Sequence, residues 1–274
     1  RELTFEKLAE LGTIPPDSVE LFKVMVKLGF NVLFSGQVRA GKTAFMQVWQ
    51  KNEDTSLEGL AISTDPETPW HSIMPGAPIM QILADGKELE SIYKSLLRGD
   101  NDYILLEEMR DAAAFKLAID ITSIGTVRSK ATIHSGNPAD IPYKMASAVL
   151  SEYGGNMKAM IAQICRNFHY VFQLYQVPAD RSVKKLKSIS EYRYDASKDT
   201  VSIHTICMYD EKTGKWKWKY DIGEDKKDMG KLQPDEFKRM ESMLKLLEKR
   251  NPLMENTVIY PRYYGNRGGE KDNC

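Results

Sequence analysis

The sequence predicts an α/β fold in which a mostly parallel sheet is flanked by helices and followed by a small antiparallel β meander and a C-terminal helix. Strand-like and helix-like segments alternate as far as residue 177, which is the order that parallel βαβ units produce. Strand-like segments joined by short turns come next, as in an antiparallel meander. Residues 232–250 then place apolar side chains at helical spacing.

The helices and strands up to residue 177 are predicted from the spacing of apolar residues. We expect two short helices within residues 1–29, divided by Pro15-Pro16, because apolar residues recur at helical spacing on both sides of the prolines. Short apolar runs predict buried strands, which lie at residues 31–34, 60–63, 103–106, 130–134 and 170–177. Helical patterns occupy residues 42–52, 86–99, 112–122 and 138–164, and a loop rich in Pro and Gly is expected at 64–78.

The length of 274 residues suits one large domain or two small ones. We expect a helical segment at residues 1–29, a core at 30–178, and the meander with its closing helix at 179–250 as part of the same domain. Residues 251–274 are polar and irregular, and we expect a mobile tail there. The strand-like segments of the meander are residues 186–195, 200–210 and 215–222.

The composition excludes several classes of function. Lys+Arg and Asp+Glu each number 38, so the net charge is zero and there is no strong basic field for direct nucleic-acid binding. No apolar run approaches the length of a membrane span, so we expect no membrane insertion. The three cysteines are widely spaced, which argues against disulfide or zinc frameworks and favours a reducing, cytoplasmic compartment.

Two basic stretches have a structural explanation that we favour. The segment KWKWKY, residues 215–220, alternates lysines with aromatic residues. A strand with its aromatic side chains on one face explains this alternation better than a nucleic-acid platform does. We expect a solvated strand or loop edge at three further lysines, Lys184, Lys185 and Lys187.

A glycine-rich loop carries the strongest chemical signal. The stretch SGQVRAGKTA, residues 35–44, contains G-x-x-x-x-G-K-T between a predicted strand and a predicted helix. Glycines let backbone N–H groups point at phosphate oxygens, the lysine reaches the β/γ phosphates, and the threonine hydroxyl can bind Mg²⁺. The loop therefore predicts ATP and Mg²⁺ as cofactors, with nucleotide-binding residues Gly36, Gln37, Val38, Arg39, Ala40, Gly41, Lys42, Thr43 and Ala44.

Carboxylates follow a neighbouring strand. YILLEE is an apolar strand that ends in Glu107-Glu108, at the edge of the sheet where α/β proteins bind ligands. A phosphate-binding loop of this type needs an acid near its metal. We therefore predict a metal site formed by Thr43, Glu108 and Glu107.

Several segments together resemble one family, the type II/type IV secretion-system ATPases, and within it the branch that serves Flp/Tad pili and conjugative transfer. The resemblance extends from Arg1 to about residue 210. Its most specific segments are LLRGDNDYILLEEMRD and ATIHSGN, and the others are RELTFEKLAELGTI, LGFNVLFSGQVRAGKT and RSVKKLKSISEY. It implies a RecA-like P-loop NTPase that forms a homohexamer, hydrolyses ATP, and works with membrane-platform proteins at the inner face of the cell membrane.

The resemblance also implies residue roles. Lys42 and Thr43 would hold the phosphates and metal, and Glu108 matches the Walker B glutamate. His134 matches the histidine of the family's T-h-H box, where it would sense the γ-phosphate. The arginines that flank the acidic strand in the family correspond here to Arg98 and Arg110.

The sequence departs from the family pattern at several positions. Ser63 and Thr64 stand where the acidic box usually has Glu-Asp, and Asp65 and Glu67 remain. The acid that activates water is therefore open between Asp65, Glu67 and Glu108. The glycine before the Walker B glutamate is Glu107, which makes a tandem carboxylate. Two more departures are Thr126, at the site of an earlier family histidine, and the loop residues Val38-Arg39-Ala40.

Three functions compete at this point. The first is an ATP-hydrolysing motor domain of a secretion or pilus machine. The second is a nucleotide-binding scaffold with little turnover, which the altered acidic box favours. The third is a small-molecule kinase that shares the loop, but it gives no reason for the ATIH segment or the meander.

The chain begins at Arg1 rather than Met, and we expect it to be a piece of a longer protein that carries the family's N-terminal domain. Because that domain contributes subunit contacts in the family, this piece alone is expected to bind nucleotide without forming a stable hexamer. Light scattering at micromolar concentration checks this expectation, and a stable hexamer would refute it.

Overall fold

A computed structural model describes residues 2–65 and 68–254 and the backbone of 257–259. Within these residues the helices are α1 (Phe5–Glu10), α2 (Val19–Leu28), α3 (Lys42–Gln50), α4 (Trp70–Ile73), α5 (Gly86–Leu97), α6 (Ala112–Ser123), α7 (Ile141–Tyr153), α8 (Met157–Asn167), α9 (Glu224–Gly230) and α10 (Pro234–Arg250). Single turns of 3-10 helix precede α2 and α7.

All the described strands belong to one sheet. They are β1 (Val32–Gly36), β2 (Gly59–Ser63), β3 (Ile79–Leu83), β4 (Tyr103–Met109), β5 (Lys130–His134), β6 (Tyr170–Gln176), β7 (Lys184–Asp195), β8 (Thr200–Asp210), β9 (Lys215–Trp218) and β10 (Thr257–Ile259). Neighbouring strands follow the order β10-β8-β7-β6-β1-β5-β4-β2-β3, and β9 also pairs with β8.

The sheet has a parallel half and an antiparallel half. Strands β6, β1, β5, β4, β2 and β3 pair in parallel, and helices cross over between them. The strands that follow β6 pair antiparallel through short turns. The predicted α/β class, with a mostly parallel sheet, a meander and a closing helix, is therefore confirmed.

Helices cover both faces of the parallel half. On one face, α1, α2, α3 and α10 enclose an apolar cluster in which the aromatic rings of Phe22, Phe34, Phe45, Trp49 and Phe172 contact one another. On the other face, α5, α6, α7 and α8 enclose a second cluster. Parallel strands covered on both faces are expected to be apolar throughout. This explains why the strands of the core appear in the sequence as short continuous apolar runs.

Five elements differ from the sequence-based expectation. Helix α4 lies inside the predicted loop at 64–78, and β3 follows it as a short edge strand with exposed Met80 and Leu83. The predicted strand at 215–222 ends at Trp218, whose backbone bonds to Asn251 and Leu253. Helix α9 then follows. Within the predicted irregular tail, β10 pairs with β8, whose edge offers unpaired backbone groups there.

The meander confirms the structural explanation of KWKWKY. In β9, Trp216 and Trp218 are buried and Lys215 is exposed. The Trp216 indole N–H donates to the Leu186 carbonyl at 2.8 Å. The aromatic residues of this strand therefore belong to the core.

A buried ion pair joins α3 to β5 at the end of the sheet away from the glycine loop. The Lys130 ammonium lies 2.8 Å from the Glu53 carboxylate, and both side chains are almost completely buried. Gln50 accepts a second hydrogen bond from Lys130 at 2.7 Å, and Arg128 contacts the other Glu53 oxygen at 2.9 Å. Burial lowers the pKa of Lys130 to about 8, and the charge of Glu53 opposes that shift.

We predict that Glu53→Gln lowers the free energy of unfolding at pH 7 by about 3–5 kcal/mol, because the Lys130 ammonium stays buried without its counterion. Lysine has a pKa of about 10.4 in an unfolded chain, above its value in the fold. The unfolded state therefore binds more protons between the two values, and stability rises with pH in that window. Without Glu53, which opposes the effect of burial, the pKa of Lys130 is expected to fall further. The stability of the variant therefore begins to rise at a lower pH than that of wild type, and the loss is expected to shrink at pH 9.5.

Urea unfolding at pH 7 and pH 9.5 measures this effect. The matched control is Glu20→Gln, since Glu20 is exposed and pairs with Lys23 at 3.5 Å on the surface. That control is expected to stay within about 0.5 kcal/mol of wild type. A Glu53→Gln loss equal to the control's would show that the buried pair does not stabilise the fold.

Candidate nucleotide-binding site

The glycine loop connects the carboxyl end of β1 to the start of α3, and two glycines in it have no substitute. A β-carbon at Gly36 would lie 2.4 Å from the Leu174 carbonyl oxygen of β6, so no side chain fits there. Gly41 has φ +95°, in the left-handed region that favours glycine. Arg39 also adopts positive φ, at 62°. The loop therefore turns tightly as it leads from β1 into the N-terminus of α3.

Lys42 opens α3 and lies inside the loop. Its side chain is largely buried, and its ammonium donates to the Gln37 carbonyl at 2.8 Å. Burial lowers the pKa of Lys42, and the carboxylate of Glu108 opposes this shift. The first N–H groups of a helix have no partner within the helix. Thr43 and Ala44 follow Lys42 in this first turn, and all three residues line a cavity at the loop.

A β-bulge in β4 aims Glu108 at this loop. Leu106 pairs with Ala131 and Met109 pairs with Ile133, so Glu107 and Glu108 together face the single residue Thr132. Glu108 has φ +53°, and its N–H donates to the Thr132 hydroxyl at 2.7 Å. A residue other than glycine in this conformation costs about 1–3 kcal/mol. The pairing of β4 with β5 on both sides of the bulge holds Glu108 in this conformation and fixes the direction of its side chain.

The two glutamates have different surroundings. Glu107 is buried and accepts a hydrogen bond from the Trp70 indole at 3.1 Å. Glu108 forms an ion pair with Arg110, lines the loop cavity, and interacts electrostatically with Lys42. Both glutamates also line a narrow cleft with Ser63 and Thr64, the two residues that we expected at the position of an acidic pair.

His134 lies at the carboxyl end of β5, the strand between β1 and β4. It is in register with Gly36 on the adjacent strand. Burial lowers the pKa of His134, and the positive charge of Lys42 lowers it further. The imidazole is therefore neutral near pH 7 and can donate one hydrogen bond to an anion. The Lys144 ammonium donates to the backbone carbonyl of His134.

These groups surround one open cavity of about 310 Å³. The residues that line it come from the loop with α3, from β4, from β5 and from β7; they are Val38, Arg39, Gly41, Lys42, Thr43, Ala44, Glu108, His134 and Lys184. Most of the predicted nucleotide-binding residues therefore meet at one place, together with three of the predicted catalytic residues, Lys42, Glu108 and His134. Backbone donors and ammonium groups fit phosphate oxygens, and the Glu108 carboxylate with the Thr43 hydroxyl fits Mg²⁺.

Other predicted residues lie elsewhere or are not described. Arg98 is exposed and follows α5, before β4 begins, and the part of β4 between Tyr103 and Glu108 spans roughly 17 Å. Asp65 is exposed two residues beyond β2. Glu67 lies outside the described residues. The carbonyl of Thr126 accepts from Asn31, just before β1 and at the far end of that strand from the loop.

Two lysines at the site were missed by the sequence reasoning. Lys144 is close to His134, and Lys184 lines the cavity although we expected it on a solvated edge. One signal was available for Lys184. A strand that returns antiparallel after β6 must begin at the carboxyl edge of the sheet, beside the glycine loop. The first residues of β7 were therefore candidates.

Comparisons with known proteins agree with this site. A family model described as "Type II/IV secretion system protein" matches residues 1–212. A protein of Bacillus anthracis described as uncharacterized is 23% identical over 202 residues, which cover 70% of this chain and 44% of that protein. A second protein, from Methanocaldococcus jannaschii and also described as uncharacterized, is 22% identical over 210 residues. These residues cover 74% of this chain and 73% of that protein.

The fold of this chain is similar to that of a solved secretion ATPase. The VirB11 ATPase from the Brucella suis type IV secretion system, crystallised with sulphate, aligns with a TM-score of 0.55 and 19% identity. The alignment covers 69% of this chain and 56% of that chain, so the chain spans little more than half the length of that ATPase. The similarity confirms the predicted RecA-like fold class. Since the family model covers more than half of its residues, this chain belongs to the type II/IV secretion ATPase family.

Proposed function

We propose that this chain is an ATP-hydrolysing motor domain that binds Mg·ATP in the glycine loop. One observation carries the proposal. Lys42 of α3, Glu108 of β4 and His134 of β5 meet at one cavity beside a helix N-terminus. A lysine, an acid and a neutral imidazole around backbone donors are suited to phosphoryl transfer to water, which depends on positioning and charge stabilisation.

Each group has a role in this proposal. Lys42 neutralises the β/γ phosphates, and Thr43 with Glu108 holds Mg²⁺. The neutral His134 donates a hydrogen bond to the γ-phosphate and loses that partner after hydrolysis. Water is activated by Glu108, by Asp65 or by Glu67. Arg110 is paired with Glu108 in the described structure, and incoming phosphates compete for its guanidinium group, which leaves the carboxylate to the metal.

Glu107 contributes a second carboxylate in the proposed site. It adjoins Ser63 and Thr64, where the family's acidic pair would lie. The negative charge missing from those two positions is thus partly restored by Glu107. Because the Trp70 indole already donates a hydrogen bond to Glu107, we assign the direct contact with Mg²⁺ to Glu108.

The machine served by this motor is also part of the proposal. The sequence resemblance supports a type IV secretion, conjugative-transfer or Tad-type pilus system. The longer protein would form a homohexamer, with the nucleotide near the subunit boundaries, and Arg98 would act on the site of another subunit. It would work in the cytoplasm, held to the inner face of the membrane by platform proteins. Among the described residues no helix combines the length and apolarity of a membrane span.

We predict that Lys42→Ala abolishes ATP hydrolysis, because the ammonium that neutralises the β/γ phosphates is lost. Steady-state phosphate release in the presence of Mg²⁺ measures this. The assay uses the full-length protein, so that any subunit contacts needed for turnover are present. Unchanged turnover in the variant would contradict ATP hydrolysis at this loop.

We predict different effects for the two neighbouring glutamates. Glu108→Gln is expected to lower kcat roughly 100- to 1000-fold with nucleotide binding retained, since the carboxylate serves the metal and water. Glu107→Gln is expected to cost less than about tenfold, because an amide still accepts the Trp70 hydrogen bond. The pair forms a matched comparison of kcat and nucleotide affinity. The reverse order of effects would assign the metal to Glu107.

A second candidate function is a nucleotide-binding scaffold with little turnover. Ser63 and Thr64, which border the Glu107–Glu108 cleft in place of carboxylates, favour it. The same assay separates the two functions. A full-length wild-type protein that binds ATP without releasing phosphate would make the scaffold the better assignment.

A further inference from the structure

A lysine from outside the glycine loop extends across the candidate phosphate site. Lys184 is the first residue of β7 and is in register with Gln176 of β6. Because β7 runs antiparallel to β6, it begins at the carboxyl edge of the sheet, where the loop leaves β1. A β-carbon built on Gly41 would lie only 3.3 Å from Cδ of Lys184. The aliphatic stem of this lysine therefore lies against the loop.

The charge of Lys184 has no counterion in the part of the chain that the structure describes. Its side chain is half-buried, and no described residue pairs with its ammonium. The neighbouring lysines have defined contacts. Lys185 donates to the Gly12 carbonyl at 2.7 Å, and the exposed Lys187 lies over the ring of Tyr175. Lys184 is thus the lysine of this stretch that faces the cavity.

An anion in the cavity would resolve an unfavourable electrostatic arrangement. Lys184 lines the same cavity as Lys42 and the N-terminus of α3, which carries partial positive charge. Like charges that are partly removed from water repel each other more strongly than in bulk solvent. The Glu108 carboxylate is already paired with Arg110. The cavity therefore has an excess of positive charge that a polyphosphate would balance.

We propose that Lys184 is a further nucleotide-binding residue whose ammonium donates charge-assisted hydrogen bonds to the phosphates held by the glycine loop. The proposal rests on the proposed function, since it requires ATP in this cavity. It adds β7 to the elements that hold the nucleotide. A lysine suits the role because its flexible stem carries three rotatable donors that can reach oxygens left free by the backbone and Lys42.

The test is an equilibrium titration with an ATP analogue that carries a fluorophore on the ribose. Lys184→Met keeps the apolar stem and removes the charge, and it is expected to weaken binding roughly tenfold. Lys184→Gln, a hydrophilic neutral variant, is expected to do the same. Lys184→Arg keeps the charge and is expected to stay within about threefold of wild type. The matched control on the same strand, Lys187→Met, is expected to bind like wild type.

A second readout separates binding from a purely structural role. The Tm of nucleotide-free Lys184→Met is expected to be no lower than that of wild type, whereas the rise in Tm on adding ATP is expected to be smaller. Wild-type affinity in both neutral variants, with binding lost in Lys42→Ala, would overturn the role of Lys184 and leave ATP binding intact. A wild-type protein that does not bind the analogue would overturn both proposals.

Discussion

The parallel half of the sheet is covered by helices on both faces, and this constraint determines where chemistry can occur. Neither face of β1 is open to solvent, since Val32 and Phe34 enter one apolar cluster and Leu33 enters the other. A polar side chain in the middle of such a strand would have to be buried, at a large cost. Functional groups are therefore confined to strand ends. The loop, His134 and Glu108 all lie at the carboxyl ends of adjacent strands.

The same constraint explains the contrast between the two ends of β5. At its amino end, Lys130 is buried and satisfied by Glu53 and Gln50. At its carboxyl end, His134 faces an open cavity beside Lys42. One end uses charge to fix the packing of α3 against the sheet. The other end leaves charge available for a ligand, and the rigid strand between them holds the two environments apart.

Local order along the chain could be predicted from the sequence, and so could the glycine loop. Apolar runs marked the core strands, and the G-x-x-x-x-G-K-T spacing placed Lys42 and Thr43 correctly at the start of the helix that follows the loop. The strand YILLEE predicted Glu108, and the family resemblance added His134; both residues line the loop cavity. The edge strand β3 was missed although its sequence, IMQIL, is largely apolar, because it directly follows the stretch rich in Pro and Gly that predicted a loop.

What could not be predicted depends on contacts between distant residues. Nothing in YILLEE shows that a bulge opposite Thr132 separates Glu107 from Glu108 and turns one toward Trp70 and the other toward the loop. The exposed position of Arg98 could not be predicted either. Arg98 is close to Glu108 in the sequence, but most of β4 lies between the two residues. Side-chain direction at a sheet edge is set by pairing register, which a single sequence does not reveal.

Three consecutive residues of β7 connect the site to the N-terminal helices. Lys184 lies against the loop, Lys185 bonds to the Gly12 carbonyl, and the Leu186 N–H bonds to the Thr13 carbonyl at 2.7 Å. The carbonyl of Leu186 is in turn held by the Trp216 indole. The start of β7 therefore cannot shift at the loop without moving the turn after α1 or breaking these bonds. A contact at Lys184 is mechanically linked to that turn through one backbone.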